Sequence, residues 1–400
     1  FGQSASGESG GKAALTRPYA PRAGMGPCGS THKAAAPACQ EPPAVAGAWK
    51  CAAGCPEPAF WEGGSALDAS RVVNCEKQVR ASGNAPGRLG VACRRGMKKD
   101  DVQPNQDAWC ARFDADRLEA FGVFDGHGDK GHLVSHFARE TLTKVVAEAA
   151  VSREDPSEDV QHCYALVHRA LCESAQLGTR LSGTTATVVV HDVDRSRLVV
   201  SHVGDSGAVL LRRTDEGGLV AKRLTQDHVP ELAAEKARIE ECGGRVVFDG
   251  RCHRVLRHGC SSGLNMSRSL GDASAHEAGV SAEPDIRQTL LGPEDMAVLV
   301  ASDGIWQVIT PQQAAGIVAR FPADSAMEAA GALADEAVRR WFARSQGQVI
   351  DDVTVVIAYL ARRSRAPSED LASTMSLLSS PCSEVSGPSD GTSAPPTPAA

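Results

Sequence analysis

The sequence predicts a mixed α/β fold built on antiparallel sheet. Short runs rich in β-branched residues alternate with long helical stretches over residues of about 86–362, with no internal repeat. The runs Leu198–Val203 and Ala208–Arg212 flank Gly204-Asp205-Ser206-Gly207, a polar four-residue turn suited to a hairpin, and a hairpin imposes antiparallel pairing.

In chain order, the pattern predicts strands over Ala120–Phe124, Thr185–Val190, Leu198–Val203, Ala208–Arg212, Ala297–Ala301 and Thr354–Tyr359. Helices are expected over His132–Ala150, Val160–Leu177, Pro230–Glu241, Pro311–Arg320 and Ser325–Arg344. The third helix is well punctuated, with Asp227 and His228 before it, Pro230 in its first turn and Gly243-Gly244 after it. Outside this region the sequence predicts disorder over 1–85 and 363–400, whose Ala, Gly, Pro and Ser content cannot bury enough surface to offset the entropy of ordering. The chain starts with Phe rather than Met, so a preceding piece is expected.

A net charge of -7 gives no electrostatic footprint for nucleic acid. No apolar run approaches the roughly 20 residues of a membrane span. The 13 cysteines have no repeated pair-spacing, so reduced thiols are expected and none is expected to act as a catalytic nucleophile. Cys51 and Cys55 lack a second pair nearby, and a zinc site there is not expected. These features predict a monomer of the cytoplasm or nucleus, with no nucleic-acid or membrane partner.

Chemistry enters through acids at strand ends. Phe121–Phe124 runs into Asp125, Ala297–Ala301 reaches Asp303 after one Ser, and Thr354–Ile357 begins just after Asp351-Asp352. Two acids follow their strands and one precedes its own, so antiparallel neighbours would bring them to one edge. Singly, an Asp-Gly at a strand end reads as a turn; together, carboxylates that repel one another call for a cation, and an oxygen-rich set suits Mg²⁺ or Mn²⁺. In Asp125-Gly126-His127-Gly128 the glycines permit close backbone approach, and His127 is placed to protonate a leaving alkoxide.

Eight segments occur in a telling order: Asn105-Gln106-Asp107; Phe121 to Gly128; Ser182-Gly183-Thr184-Thr185-Ala186; Gly204 to Gly207; Leu224-Thr225-Gln226-Asp227-His228; Ser267-Arg268-Ser269-Leu270-Gly271-Asp272; Ala301 to Trp306; and Asp351 to Thr354. Over residues of roughly 90–360 the chain thereby resembles the metal-dependent serine/threonine phosphatases of the PPM, or type 2C, family, most closely in its plant and protist form. The resemblance implies a four-layer α-β-β-α sandwich of two antiparallel sheets flanked by helices. It implies two Mg²⁺ or Mn²⁺ ions held by Asp125, the Gly126 carbonyl, Asp303 and Asp351, and phosphoserine or phosphothreonine proteins as substrates. Hydroxide held between the ions would attack phosphorus, with His127 as general acid and Asp107 ordering water. Asp205 and Asp272 would be further acids at the site edge.

Three positions depart from the family. Gln106 stands where many members have Glu. Gln307 replaces an acid, which argues against a third metal. Val102 replaces an arginine, and the phosphate-binding role is then expected of Arg94, Arg95, Lys98 or Lys99. The alternative, an inactive phosphatase-like binding module, would be expected to have lost the bridging aspartate or its glycine.

Overall fold

A computed structural model describes residues 50–51, 74–75, 87–98, 104–114, 117–259 and 263–360. The chain begins with β1 (Lys50–Cys51), β2 (Asn74–Cys75), β3 (Leu89–Arg94), β4 (Met97–Lys98), β5 (Asp107–Asp114) and β6 (Leu118–His127). Helices α1 (Gly131–Ala150) and α2 (Ser157–Glu173) follow, then β7 (Gly183–Thr184), β8 (Ala186–Asp192), β9 (Arg197–Val203), β10 (Gly207–Arg213) and β11 (Leu219–Arg223). After α3 (Ala233–Glu241) come β12 (Arg245–Phe248), β13 (His253–Leu256), β14 (Leu270–Gly271), α4 (Ala273–His276), β15 (Asp285–Leu290) and β16 (Asp295–Ala301). The last elements are α5 (Asp303–Trp306), α6 (Pro311–Val318), α7 (Ala326–Ser345), β17 (Val349–Ile350) and β18 (Val353–Tyr359).

Two sheets form the centre. One runs β1-β5-β6-β8-β9-β15, with β7 and β14 attached beyond the end of β6; the other runs β11-β10-β16-β18-β3-β2. Each pairing in both is antiparallel. Strand periodicity explains the layers. Phe121, Val123 and Val189 point between the sheets and meet Leu210, Val298, Val300 and Val356 from the other side. Their neighbours Ala120, Phe124, Val188 and Val190 point outward and pack on α1 and α2 through Val134, Leu142 and Tyr164. On the second sheet Leu299, Val355 and Ile357 do the same against Leu333 and Ala337 of α7 and Ile317 of α6. Because both faces are covered, these strands read as continuous apolar runs rather than alternating ones, and truncating a fully buried Phe121 or Phe124 to Ala would cost about 3–5 kcal/mol.

Local sequence sets the ends of elements. Thr310 caps α6 in a reciprocal box with Gln313, and Pro311 occupies the first turn. Helix α2 stops at Glu173 rather than Leu177, and α3 starts at Ala233 rather than Pro230. Within the N-terminal low-complexity stretch, Lys50–Cys51 pairs with β5 and Asn74–Cys75 with β3, so two dipeptides extend the sheet edges. The Cys51 side chain and Cys55 lie outside the described residues. Among the described residues no helix is long and apolar enough to cross a membrane.

Candidate metal centre

Strand direction brings the acids to one end of the sandwich. Asp107 opens β5 and Asp125 lies near the end of β6, directly opposite each other in the ladder. Both share the parity of the residues that point between the sheets. On the second sheet Gly207, at the start of β10, pairs with Ala301, at the end of β16, and Ala301 pairs with Val355 of β18. The turns just outside these positions carry Asp205, Asp303 and Asp351, so five acids from distant parts of the chain meet at one rim.

The meeting is visible in their mutual fields. Burial, then the charges of Asp107, Asp303, Asp351 and Asp205, hold the Asp125 carboxyl well above the usual range. Asp303 is raised by burial, then by Asp205, Asp351 and Asp107, and it shares a hydrogen bond with Asp125. Burial and the adjacent Asp352 push Asp107 up to about 8; burial and Asp227 push Asp205 up to about 6. Oδ1 of Asp107 and Oδ1 of Asp205 are buried without a hydrogen-bond partner. Orphaned carboxylate oxygens in a crowd of like charge are what a divalent cation would satisfy, and the oxygen-only donor set fits Mg²⁺ or Mn²⁺.

The scaffold around the acids is tightly specified. Asp125 N–H donates to Thr185 Oγ1 at 3.0 Å and its carbonyl accepts from Thr185 N–H at 2.8 Å. A Cβ at Gly126 would lie 2.3 Å from the Gly131 carbonyl oxygen, so only glycine permits the approach. Gln106 donates through Nε2 to the Gly128 carbonyl at 2.6 Å, tying the first motif to the loop after β6. Gln307 donates to Asp303 Oδ2 at 2.5 Å, so the amide that stands in place of an acid orients a carboxylate instead.

Two connections had no signal in the sequence. Asp352 accepts from Gly96 N–H at 2.5 Å and from Gln106 N–H at 2.8 Å, clipping two loops to β18. Ser302 Oγ donates to Asp107 Oδ2 at 2.8 Å and accepts from Thr354 N–H at 3.1 Å, linking the two sheets beneath the acids.

His127 Nε2 lies 2.6 Å from Asp272 Oδ2, and Ser269 Oγ donates to the same oxygen at 2.6 Å. Burial alone would lower the imidazole pKa, but the Asp272 charge and hydrogen bond outweigh it and hold His127 above its usual value. Asp272 adopts a left-handed φ of 45°, and a Cβ at Gly183 would strike its carboxylate at 2.0 Å.

The basic residues separate. Arg94 is buried, and its guanidinium pairs with Asp335 and reaches the Gly331 carbonyl on α7, the helix side of its sheet. Arg95 is half-buried in the turn between β3 and β4. The pairing of β4 with β17 holds the backbone of Lys98 opposite Val349, just before Asp351. The Lys98 side chain and Lys99 lie outside the described residues.

Cys163 and Arg169 have the Cys-x5-Arg spacing of cysteine-dependent phosphatases, a candidate nucleophile against the expectation that no cysteine serves as one. The pair lies within α2, with Cys163 packed in the helix–sheet core and its thiol pushed by burial up to about 11. A protonated thiol in a helix interior is no nucleophile.

An α-β-β-α sandwich with buried carboxylates gathered at one end defines a class of divalent-metal protein. The family model for protein phosphatase 2C matches residues 95–343. "Probable protein phosphatase 2C 73" of Arabidopsis thaliana is 35% identical over 266 residues, covering 60% of this chain and 70% of that protein. "Probable protein phosphatase 2C 34" of the same plant is 33% identical over 320 residues, covering 72% and 87%. A crystal structure of serine-threonine phosphatase 2C from Toxoplasma gondii shares the fold, with a TM-score of 0.56 at 22% identity over 68% of this chain and 94% of that one. The chain belongs to the protein phosphatase 2C family, and is thereby a metal-dependent protein phosphatase acting on phosphoproteins.

Proposed function

We propose that this chain hydrolyses phosphoserine and phosphothreonine esters with two Mg²⁺ or Mn²⁺ ions, held by Asp125, the Gly126 carbonyl, Asp303 and Asp351. The observation that carries the reading is the gathering of buried, mutually repelling carboxylates with orphaned oxygens. When bound, the ions offset phosphate charge and lower the pKa of water toward neutrality, from about 15.7 to roughly 7 in favourable sites.

The protein's own groups do the rest. Asp272 accepts the Nε2–H of His127, so the proton given to the leaving serine or threonine oxygen is the one on Nδ1. Asp107, steadied by Ser302, keeps one oxygen available to order water. Arg95, Lys98 or Lys99 supplies the cation that meets the phosphate, a reading supported by the Lys98 backbone lying opposite Val349, just before Asp351. Residues 86–362 form the catalytic domain, which works as a monomer in the cytoplasm or nucleus. The inactive-module alternative is disfavoured because Asp125, Gly126, Asp303 and Asp351 are all present.

Turnover of a phosphothreonine peptide with Mn²⁺, and its disappearance in excess EDTA, tests the reading. Full activity in chelator would overturn it.

A further inference from the structure

Away from the acid cluster, His202, His228 and Asp285 bring one potential ligand atom each within 4.8 Å of one another. Proton bookkeeping argues against a cation between them. A neutral imidazole carries one N–H. Nδ1 of His228 accepts a hydrogen bond from Gly204 N–H at 3.1 Å, so its proton sits on Nε2, which lies 3.3 Å from Asp285 Oδ2 without hydrogen-bonding to it and has no lone pair to give. Nε2 of His202 likewise donates to the Gln226 carbonyl at 2.8 Å, and Asp285 also receives Arg268 at 2.9 Å. His228 thus turns a proton rather than a lone pair toward the acid, and its one ring hydrogen bond goes to Gly204.

What those bonds grip is the turn that carries Asp205. His228 holds Gly204 twice: its ring accepts from Gly204 N–H, and its own backbone N–H donates to the Gly204 carbonyl at 3.0 Å. Gly204 has a φ of 95°, and a Cβ there would press on Thr185 at 2.6 Å, so the turn leaves β9 in a conformation that glycine alone permits. The anchor itself is rigid. His228 is 2% exposed, its carbonyl accepts from Ser267 N–H at 2.9 Å, and its ring stacks on His202 at 4.4 Å with an interplanar angle of 12°.

We infer that His228 is a positioning residue for the metal centre, fixing through Gly204 the place of the Asp205 carboxylate beside Asp303 and Asp125. The inference rests on the acid cluster being the metal centre proposed above.

The test compares His228→Asn with His228→Gln. Asn can put its Oδ1 where Nδ1 stands and accept from Gly204 N–H, whereas Gln places its acceptor farther out, near the position of Nε2. Mn²⁺ binding is measured without substrate, by the electron paramagnetic resonance signal of the free ion, and thermal midpoints are taken in EDTA. His228→Gln should weaken Mn²⁺ binding about tenfold and His228→Asn by no more than about threefold, the scale of lost support behind a metal site. With Asp205→Ala already present, His228→Gln should add nothing further, because the two lie on one path. Wild-type affinity in His228→Gln, equal losses in both variants, or a full extra loss on the Asp205→Ala background would overturn the inference. If the unsubstituted chain binds no Mn²⁺, the metal-centre reading falls and takes the inference with it; normal binding by both the chain and His228→Gln removes the inference alone.

Discussion

His127 and Asp272 stand 2.6 Å apart although 145 residues separate them, and the contact depends on a left-handed aspartate resting against a glycine that has no room for a side chain. The carboxylate both orients the imidazole and favours its charged form.

That pairing predicts a leaving-group signature. His127→Ala should slow hydrolysis of a phosphoserine peptide by about 10²–10⁴ and that of nitrophenyl phosphate much less, because an aryl oxide departs without a proton. Asp272→Asn should fall between wild type and His127→Ala on the same axis. Equal losses on both substrates would show that His127 serves the loop or bound water instead.

Crowding of the acids predicts opposite effects on activity and on metal-free stability. Asp303→Asn should abolish turnover by removing a ligand. In EDTA at neutral pH it should also raise the thermal midpoint, since one member of a repelling, buried set is gone. A gain of about 1 kcal/mol corresponds to roughly 2–4 °C for a domain of this size. Calorimetry of the two proteins in chelator decides it, and a lower midpoint would count against the repulsion.

Placement of the basic stretch predicts a split among neighbours. Alanine at Arg95, Lys98 or Lys99 should raise KM for phosphopeptide and weaken inhibition by free phosphate, by about ten- to a hundredfold for the residue that touches phosphate. Arg94→Ala should leave KM unchanged and lower stability, because its guanidinium is engaged with α7. Steady-state kinetics with phosphate as inhibitor, beside thermal melts, separates the two outcomes.

Buried neutral histidine predicts a dependence of stability on pH. Burial, then His168, pushes His276 down to about 4, outweighing Asp272 and the bond to the Ser269 carbonyl; Arg238 acts in the same direction as His168. A folded pKa below the unfolded value of about 6.5 means that the unfolded chain takes up more protons, so this contribution is complete above pH 6.5 and is lost as pH falls toward 4. The raised carboxyls oppose it in an overlapping range, so the comparison is between wild type and His276→Gln, which keeps a donor for Ser269. Relative to wild type, the variant should gain about 1–3 kcal/mol between pH 6.5 and 4 in urea titrations. A constant difference would remove His276 from the account.

The strands that hold the acids were legible because each is a run of apolar residues buried on both faces, and the acids punctuate those runs. Strand β5 was not, since Asp107, Arg112 and Asp114 interrupt its apolar residues and mimic a loop. The edge strands β11 and β15 carry half-exposed, mixed sequences with little periodic signal. Within the site, Asp125, Asp303 and Asp351 could be marked from position alone. Ser302, Asp352 and His228 could not, because their roles are hydrogen bonds to residues dozens to hundreds of positions away, and no local spacing encodes those partners.

The order of the second sheet bears on how the protein is made. Strand β18 lies between β16 and β3, and Val353 is the register partner of Arg94, so among the described residues the first long strand waits for the last. At about 5–20 residues per second on a ribosome, β3 presents an open edge for roughly 10–50 s before β18 is made, and β16 for roughly 3–10 s. Asp351 arrives with β18, so a nascent chain that has not reached β18 lacks the full carboxylate set, and divalent ions cannot template folding early in synthesis. Closure of the second sheet and completion of its carboxylate rim are therefore one and the same late step in the making of the domain.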